Sequence, residues 1–261
     1  FISEEALADS PLVHRLSYEA AGDHNRDATH LYNGMIAPLI PYTIKGAIWY
    51  QGCANATAEL HSEYLEAQKL MIQDWRERWG MEFPVLITQL AAYGRVGYSE
   101  YFPYVREAQW KLTHALEGVE MAVVLETGEE NNIHPTDKAT VGHRLALAAK
   151  GAVYGMDTAY RYPEPSGLTV TDLDAVVTFN HTYDGLVCDG APAAFEIRDA
   201  AGNWYAASAE ITGTNTVTVT DGIHVPVAVR CGFAGFPKPM VNLYNSAGLL
   251  ITPFRLGDLG E

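Results

Sequence analysis

Two short polar stretches carry side chains suited to moving protons and to stabilising a developing negative charge. The first is Trp49-Tyr50-Gln51-Gly52-Cys53-Ala54-Asn55-Ala56, a glycine-containing turn with two carboxamides. An asparagine N–H presented from such a turn can donate to an oxygen that becomes negative in a tetrahedral intermediate, an interaction worth about 3 kcal/mol. The plainer reading is that Gln51 and Asn55 only satisfy backbone groups of the turn. The second stretch is Glu126-Thr127-Gly128-Glu129-Glu130-Asn131-Asn132-Ile133-His134-Pro135, which ends in a histidine held between Ile133 and Pro135. Imidazole is the side chain best matched to shuttling a proton near neutral pH. His134 is the best base candidate among nine histidines. His61, His114 and His143 fall in helical segments, His181 and His224 in a β-rich part, and His14, His24 and His30 in an irregular leader. A metal site built on His24 and His30 lacks further ligands at convincing spacing. Ser3, Ser10, Ser17, Ser62 and Ser99 occur singly, and none lies in a G-x-S-x-G turn.

Both stretches follow apolar runs of strand length. Ile44 to Tyr50, Phe83 to Leu90 and Val119 to Glu126 are near-continuous in apolar residues, the pattern of strands covered on both faces of a parallel sheet. Between them, His61 to Trp79 repeats Tyr64, Ala67, Met71 and Trp75 at helical spacing, and Tyr104 to Leu116 and Thr136 to Tyr154 read as further helices, the last stopping at Gly155. Strand and helix in alternation predict a three-layer α/β sheet, with ligands gathered at the carboxyl ends of its strands. That places the search in the loops after Tyr50, Leu90 and Glu126. Composition changes near residue 155. Beyond Gly167, Leu168 to Val170, Ala175 to Asn180, Ala194 to Arg198, Glu210 to Thr212 and Thr216 to Thr220 are short strand candidates separated by Asp, Asn and Gly turns, which predict a small antiparallel sandwich. The expected division is an α/β domain over 1–160 and a β domain over 161–261, joined by a stiff Pro163-Glu164-Pro165-Ser166-Gly167 connector.

With 261 residues, 48% hydrophobic and 19% charged, the chain has the composition of a folded body able to bury a full core. Its formal net charge of −15 argues against nucleic acid or an anionic membrane surface as partner, because no basic stripe is present to displace counterions. No apolar run approaches the roughly 20 residues that span a bilayer. Cys53, Cys188 and Cys231 are widely spaced. Two separately buried thiols at Cys188 and Cys231 are the simpler reading, and a bridge between them in an oxidising compartment is the alternative. The sequons at Asn55-Ala56-Thr57 and Asn180-His181-Thr182 are read as chance matches, since a sugar on Asn55 would block the donor described above. Phe1-Ile2-Ser3 reads as the interior of a longer sequence.

Several segments together resemble the sialate O-acetylesterase family, carbohydrate esterases of the SGNH hydrolase type. Leu31-Tyr32-Asn33-Gly34-Met35-Ile36-Ala37-Pro38-Leu39 followed by Lys45-Gly46-Ala47-Ile48-Trp49-Tyr50-Gln51-Gly52 is the most distinctive stretch. Trp75-Arg76, Phe83-Pro84, Gln89-Leu90-Ala91, Arg106-Glu107-Ala108-Gln109, Ile133-His134-Pro135 and Val141-Gly142-His143-Arg144-Leu145-Ala146 follow in family order. Ala228-Val229-Arg230, Asn242-Leu243-Tyr244-Asn245 and Pro253-Phe254-Arg255 extend the likeness to about residue 255.

The resemblance implies an α/β fold with a partial, three-layer SGNH-hydrolase-like parallel sheet and a small antiparallel β domain after it. It implies a serine esterase that removes O-acetyl groups from sialic acids or related glycans without a cofactor or metal, in which Asn55 is the oxyanion donor and His134 the general base. Gln51 and Asn132 are the accompanying substrate-side candidates. The family's nucleophilic serine and oxyanion glycine correspond to sequence upstream of Phe1. The chain therefore reads as a carboxyl-terminal portion, inactive alone, whose partners are an acetylated sugar and its own upstream segment or another chain. A secreted, periplasmic or lysosomal location goes with the family. Two departures stand out. Cys53 replaces an acidic residue after Gln-Gly, and Asn131 and Asn132 occupy the place of an Asp before the histidine, with Glu126, Glu129, Glu130 and Asp137 as possible substitutes. These departures keep open a silent sugar-binding module, with Trp49, Tyr50 and Tyr93 as a stacking platform. An acetylxylan-type esterase is the alternative enzyme.

Overall fold

The computed structural model describes residues 1–17 and 27–260; His24 lies outside the described residues. The chain opens with the short helix α1 (Glu4–Ala8), whose N-cap Ser3 accepts from the Ala6 amide and is itself fastened to Asp74, its N–H at 2.8 Å and its Oγ at 2.7 Å. Three strands, β1 (Ala47–Trp49), β2 (Val85–Thr88) and β3 (Val119–Ala122), then pair in parallel in the order β1-β2-β3. β1 and β2 are the middles of two of the expected apolar runs, and β3 is the first half of the third. The flanks leave the ladder early because they must bend into loops, and residues 125–127 form a 3₁₀ turn where strand was expected.

Helices α2 (Tyr64–Trp79), α3 (Phe102–Ala115) and α4 (Lys138–Ala148) separate and follow the strands. Met71, Ile72 and Trp75 of α2 and Leu112 of α3 share one apolar cluster with Val85, Ile87, Val119 and Met121. Val141, Leu145 and Ala148 of α4 share another with Leu86, Ala122 and Val124, the side chains of opposite parity. The sheet is therefore covered on both faces, as the uninterrupted hydrophobicity of its strands requires. Asp137 caps α4, its Oδ1 accepting from the Thr140 N–H at 3.0 Å, so this helix starts at Lys138 rather than at the expected Thr136. It widens into a π turn over Ala149–Val153 and ends before Gly155, whose φ is +63°.

From residue 164 all strand pairing is antiparallel. β4 (Glu164–Thr171), β5 (Asp174–Asn180), β6 (Leu186–Cys188), β7 (Phe195–Arg198), β8 (Trp204–Ala206), β9 (Ser208–Ile211), β10 (Thr216–Thr220), β11 (Ala228–Cys231), β12 (Leu243–Asn245) and β13 (Phe254–Gly257) form two four-stranded sheets, β4-β5-β10-β9 and β13-β11-β7-β8, with β12-β6 as a separate pair. Ala175, Val177, Phe179, Val217 and Val219 of one sheet and Phe195, Ile197, Val229, Cys231 and Phe254 of the other are buried in one core, which gives a sandwich. The expected connector at 163–167 is instead the start of β4, bulged between Pro165 and Gly167 so that the prolines fit a strand edge. Cys188 and Cys231 are free thiols; Cys231 is buried, whereas Cys188 is half-exposed and donates to the Gly190 carbonyl. Among the described residues no helix is long and apolar enough to cross a membrane.

The sandwich and the α/β layers are joined through α3. Arg255 of β13 makes a bidentate pair with Glu107 of α3, at 3.0 and 2.7 Å, with both side chains buried. The neighbouring Arg106 is fully buried and donates to the carbonyls of Ala234 and Gly235; burial without a carboxylate partner lowers its pKa to about 9.

Candidate functional site

Parallel pairing puts the carboxyl ends of β1, β2 and β3 on one rim, and the turn after β1 carries Gln51 and Asn55 there. The chain leaves β1 through Gly52, which adopts φ +146°. A Cβ at that position would also stand 3.1 Å from the Tyr64 hydroxyl, 3.2 Å from Val105 and 3.3 Å from Leu90, so both conformation and space require glycine. The turn then closes as a 3₁₀ turn over Cys53–Asn55. Gln51 Nε2 donates to Asn55 Oδ1 at 2.7 Å. The Asn55 carboxamide oxygen is thereby occupied, and its Nδ2 makes no hydrogen bond to another described residue.

Gln51 and Asn55 line a cleft of about 470 Å³. Its apolar wall comes from the leader, with Phe1, Ile2, Leu7, Leu12 and Leu31, and its charged end from Arg15 and Glu63, paired at 2.8 Å. Nothing in the sequence marked these residues as lining a cleft, because an irregular segment gives no periodic signal. Burial raises the pKa of the Cys53 thiol, which disfavours the thiolate at this turn.

The loop after β3 reaches the same rim. Ile133 packs in one apolar cluster with Cys53 and Ala56, and the Lys138 ammonium lies 5.2 Å from the Tyr50 ring centroid. Gly128 makes this approach possible, since a Cβ there would fall 2.1 Å from the Ala92 carbonyl oxygen. His134 itself is exposed and is not part of the cleft lining. Its backbone N–H donates to Asn132 Oδ1 at 3.0 Å, while its imidazole makes no hydrogen bond to another described residue.

Among the described residues no carboxylate is hydrogen-bonded to the His134 imidazole, and those nearest in sequence bond to other groups. Glu126 pairs with Arg144, Glu130 with Lys238 at 2.6 Å, and Asp137 caps α4. Glu129 accepts from the Thr136 N–H at 2.6 Å, the Thr136 hydroxyl at 2.7 Å and Asn132 Nδ2 at 3.0 Å, and these bonds lower its pKa. Asn132 thus braces the loop, with its oxygen on the backbone and its nitrogen on Glu129. Of the aromatic residues proposed as a platform, Tyr93 is 5% exposed and Trp49 packs edge-on between Phe1 and Trp75, so both serve the core. Only Tyr50 presents a face to solvent.

Sequence reasoning missed Tyr64 and Gln109. Gln109, on α3 and 2% exposed, accepts from the Leu90 N–H at 2.9 Å and donates toward the Gln51 carbonyl at 3.2 Å and the Thr88 carbonyl at 3.3 Å. The Tyr64 hydroxyl of α2 donates to the same Gln51 carbonyl at 2.9 Å. A signal was present: Gln109 interrupts an apolar stripe made by Val105 and Leu112, where a polar residue needs buried partners.

Comparisons with known proteins agree with this architecture. Residues 19–150 match the family model for carbohydrate esterase, sialic acid-specific acetylesterase. The sialate O-acetylesterase of Mus musculus is 27% identical over 252 residues, covering 85% of this chain and 46% of the mouse protein. That of Homo sapiens is 28% identical over 251 residues, covering 85% of this chain and 47% of the human protein. A crystal structure of a carbohydrate acetylesterase from Xanthomonas citri superposes with a TM-score of 0.86 at 35% identity, over 98% of this chain and 57% of that one. The chain thus spans about half the length of the curated relatives it matches. A family match across the parallel sheet, its helices and both rim loops, together with a solved acetylesterase of the same fold, places the chain in the sialic acid-specific acetylesterase family of carbohydrate esterases.

Proposed function

We propose that the chain contributes to a serine-type carbohydrate esterase that removes O-acetyl groups from sialic acids or related acetylated glycans. Asn55 donates Nδ2–H to the oxyanion, and His134 takes the proton of the attacking hydroxyl and returns it to the leaving sugar oxygen. The nucleophilic serine is supplied from outside the 261 residues. The observation that carries this reading is the Asn55 carboxamide on the cleft wall with its oxygen occupied by Gln51 and its nitrogen available. The names of the relatives supply the acetylated sugar as substrate class.

The test is hydrolysis of p-nitrophenyl acetate and 9-O-acetylated sialic acid by the full-length protein and by the 261-residue chain. The full-length protein turns over both. Asn55→Ala lowers kcat by about 10²–10³, His134→Ala lowers it by at least as much, and the chain alone gives negligible turnover. A brisk His134-dependent rate from the chain alone would overturn the external serine.

One observation favours a second reading, a catalytically silent sugar-binding module: among the described residues no carboxylate is hydrogen-bonded to the His134 imidazole, to hold its tautomer or to stabilise imidazolium. Retained binding of acetylated sugar by a full-length protein without turnover would select it.

A further inference from the structure

An oxyanion donor must be aimed as well as present, and a carboxamide is nearly symmetric in shape while opposite in chemistry at its two ends. At Asn55 the correct end faces the cleft only while the other end is claimed. Gln51 Nε2 makes that claim at 2.7 Å. Gln51 is in turn held at its own backbone, where its carbonyl accepts from the Tyr64 hydroxyl at 2.9 Å and from Gln109 Nε2 at 3.2 Å. Its side-chain Oε1 faces the same Tyr64 hydroxyl at 3.4 Å, which leaves Nε2 as the end turned toward Asn55. Tyr64 is 1% exposed and Gln109 2% exposed, so neither has water as a substitute partner. Gln109 also fixes the loop after β2 through the Leu90 N–H at 2.9 Å.

We propose that Gln51 is a positioning residue that sets the polarity of the Asn55 carboxamide, and that Tyr64 and Gln109, reaching down from α2 and α3, hold Gln51 in the rotamer that does so. The proposal rests on the oxyanion reading of Asn55 and adds to it the order Tyr64 and Gln109, then Gln51, then Asn55. It also assigns the cleft face of Gln51 to the catalytic geometry rather than to direct substrate contact.

Gln51→Glu gives the most specific test. A carboxylate at position 51 accepts only, so the Asn55 carboxamide turns over to donate to it and presents its oxygen to the cleft, where it repels an oxyanion. In the full-length protein kcat on p-nitrophenyl acetate then falls about as far as in Asn55→Ala, on the order of 10²–10³. Gln51→Leu, which frees the amide without reversing it, falls only about tenfold, with KM little changed in both. Tyr64→Phe lowers kcat severalfold in the wild-type background and has no further effect on kcat in Asn55→Ala, the non-additivity expected of groups acting in series. Equal losses from Gln51→Glu and Gln51→Leu, or a Tyr64→Phe effect that persists undiminished in Asn55→Ala, would overturn the proposal while leaving Asn55 as donor. An unchanged kcat in Asn55→Ala would instead remove the oxyanion reading itself.

A measurement independent of turnover uses the 261-residue chain labelled with ¹⁵N and ¹³C. The expected result is a coupling across the hydrogen bond from Gln51 Nε2 to the Asn55 side-chain carbonyl, lost in Gln51→Leu and replaced in Gln51→Glu by one from Asn55 Nδ2 to the new carboxylate. A coupling in the opposite sense in the wild type would refute the stated polarity.

Discussion

Position 52 admits no side chain, because the left-handed backbone and the close Tyr64 hydroxyl act together. Gly52→Ala is expected to cost about 1–3 kcal/mol from backbone strain and to push the 53–55 turn outward from α2. Chemical denaturation reads the first effect. The second appears as a larger loss of turnover in the full-length protein than the lost stability explains. The turn after the first apolar run was legible in the sequence, but there its two carboxamides could as well satisfy the backbone; that Gln51 and Asn55, four positions apart, bond to each other is visible only in the structure. The two carboxamides Asn131 and Asn132 before His134 were legible too, with the choice among Glu126, Glu129, Glu130 and Asp137 as substitutes left open. Tyr64 and Gln109 were not, because on a helix their spacing is that of core residues, and only the packed structure shows that their polar ends meet at the Gln51 carbonyl.

Among elements, α3 is tied to the sandwich by charge. Glu107 and Arg255 form a buried bidentate pair across the contact between α3 and β13, and Arg255 also lies over the rings of Tyr104 and Phe233 at 5.2 and 4.7 Å. Removing one partner leaves the other charged and desolvated. Glu107→Ala is therefore expected to lower stability by about 3–5 kcal/mol, and the pair Glu107→Ala with Arg255→Met to recover part of that loss. Urea unfolding of the three proteins checks it; a double variant no more stable than Glu107→Ala would show that the ion pair is not the source. The elements themselves were readable to different depths. Thr216 to Thr220 alternates strictly and was found whole, and the three parallel strands were marked by their apolar runs. β6, β8 and β12 have three residues each, too few for a period of two to register, and exist because neighbouring strands supply their hydrogen bonds.

For the whole molecule, Glu164 ties the sandwich to α3. Its carboxylate accepts from Trp110 Nε1 at 2.8 Å and faces His114 at 3.3 Å and His181 at 3.6 Å, beside a cavity of about 280 Å³. Burial alone would raise its pKa, but the contacts to His181, Trp110 and His114 outweigh burial and bring it from 4.5 down to about 2. A carboxyl with a depressed folded pKa stabilises the fold above its unfolded value and loses that contribution as pH falls through the folded one. Thermal stability is therefore expected to decline between pH 4.5 and about 2, and Glu164→Gln to flatten that decline. Parallel Tm curves for the two proteins would assign the acid limb to other groups. At the opposite end of the sheet, the outer edge of β1 is unpaired among the described residues, and Ile48 is 64% exposed where α4 no longer covers the face that buries Leu86. Such an edge invites another strand. The 261-residue chain is expected to self-associate in light scattering, and Ile48→Lys to shift it toward monomer; a wild-type chain that stays monomeric at high concentration would contradict this.

Arg106, Glu107 and Gln109 fall within little more than one turn of α3, and their bonds run respectively to the carbonyls at 234 and 235, to Arg255, and to the loops at the sheet rim. Dissection of the protein is constrained as a result. A shorter version cut near residue 161, made in search of a minimal catalyst, would strand a guanidinium and a carboxylate on the same helix that steers the rim amides. Any module exchanged for the sandwich would have to bring its own acceptors for the first and its own cation for the second before the sheet rim could keep its shape.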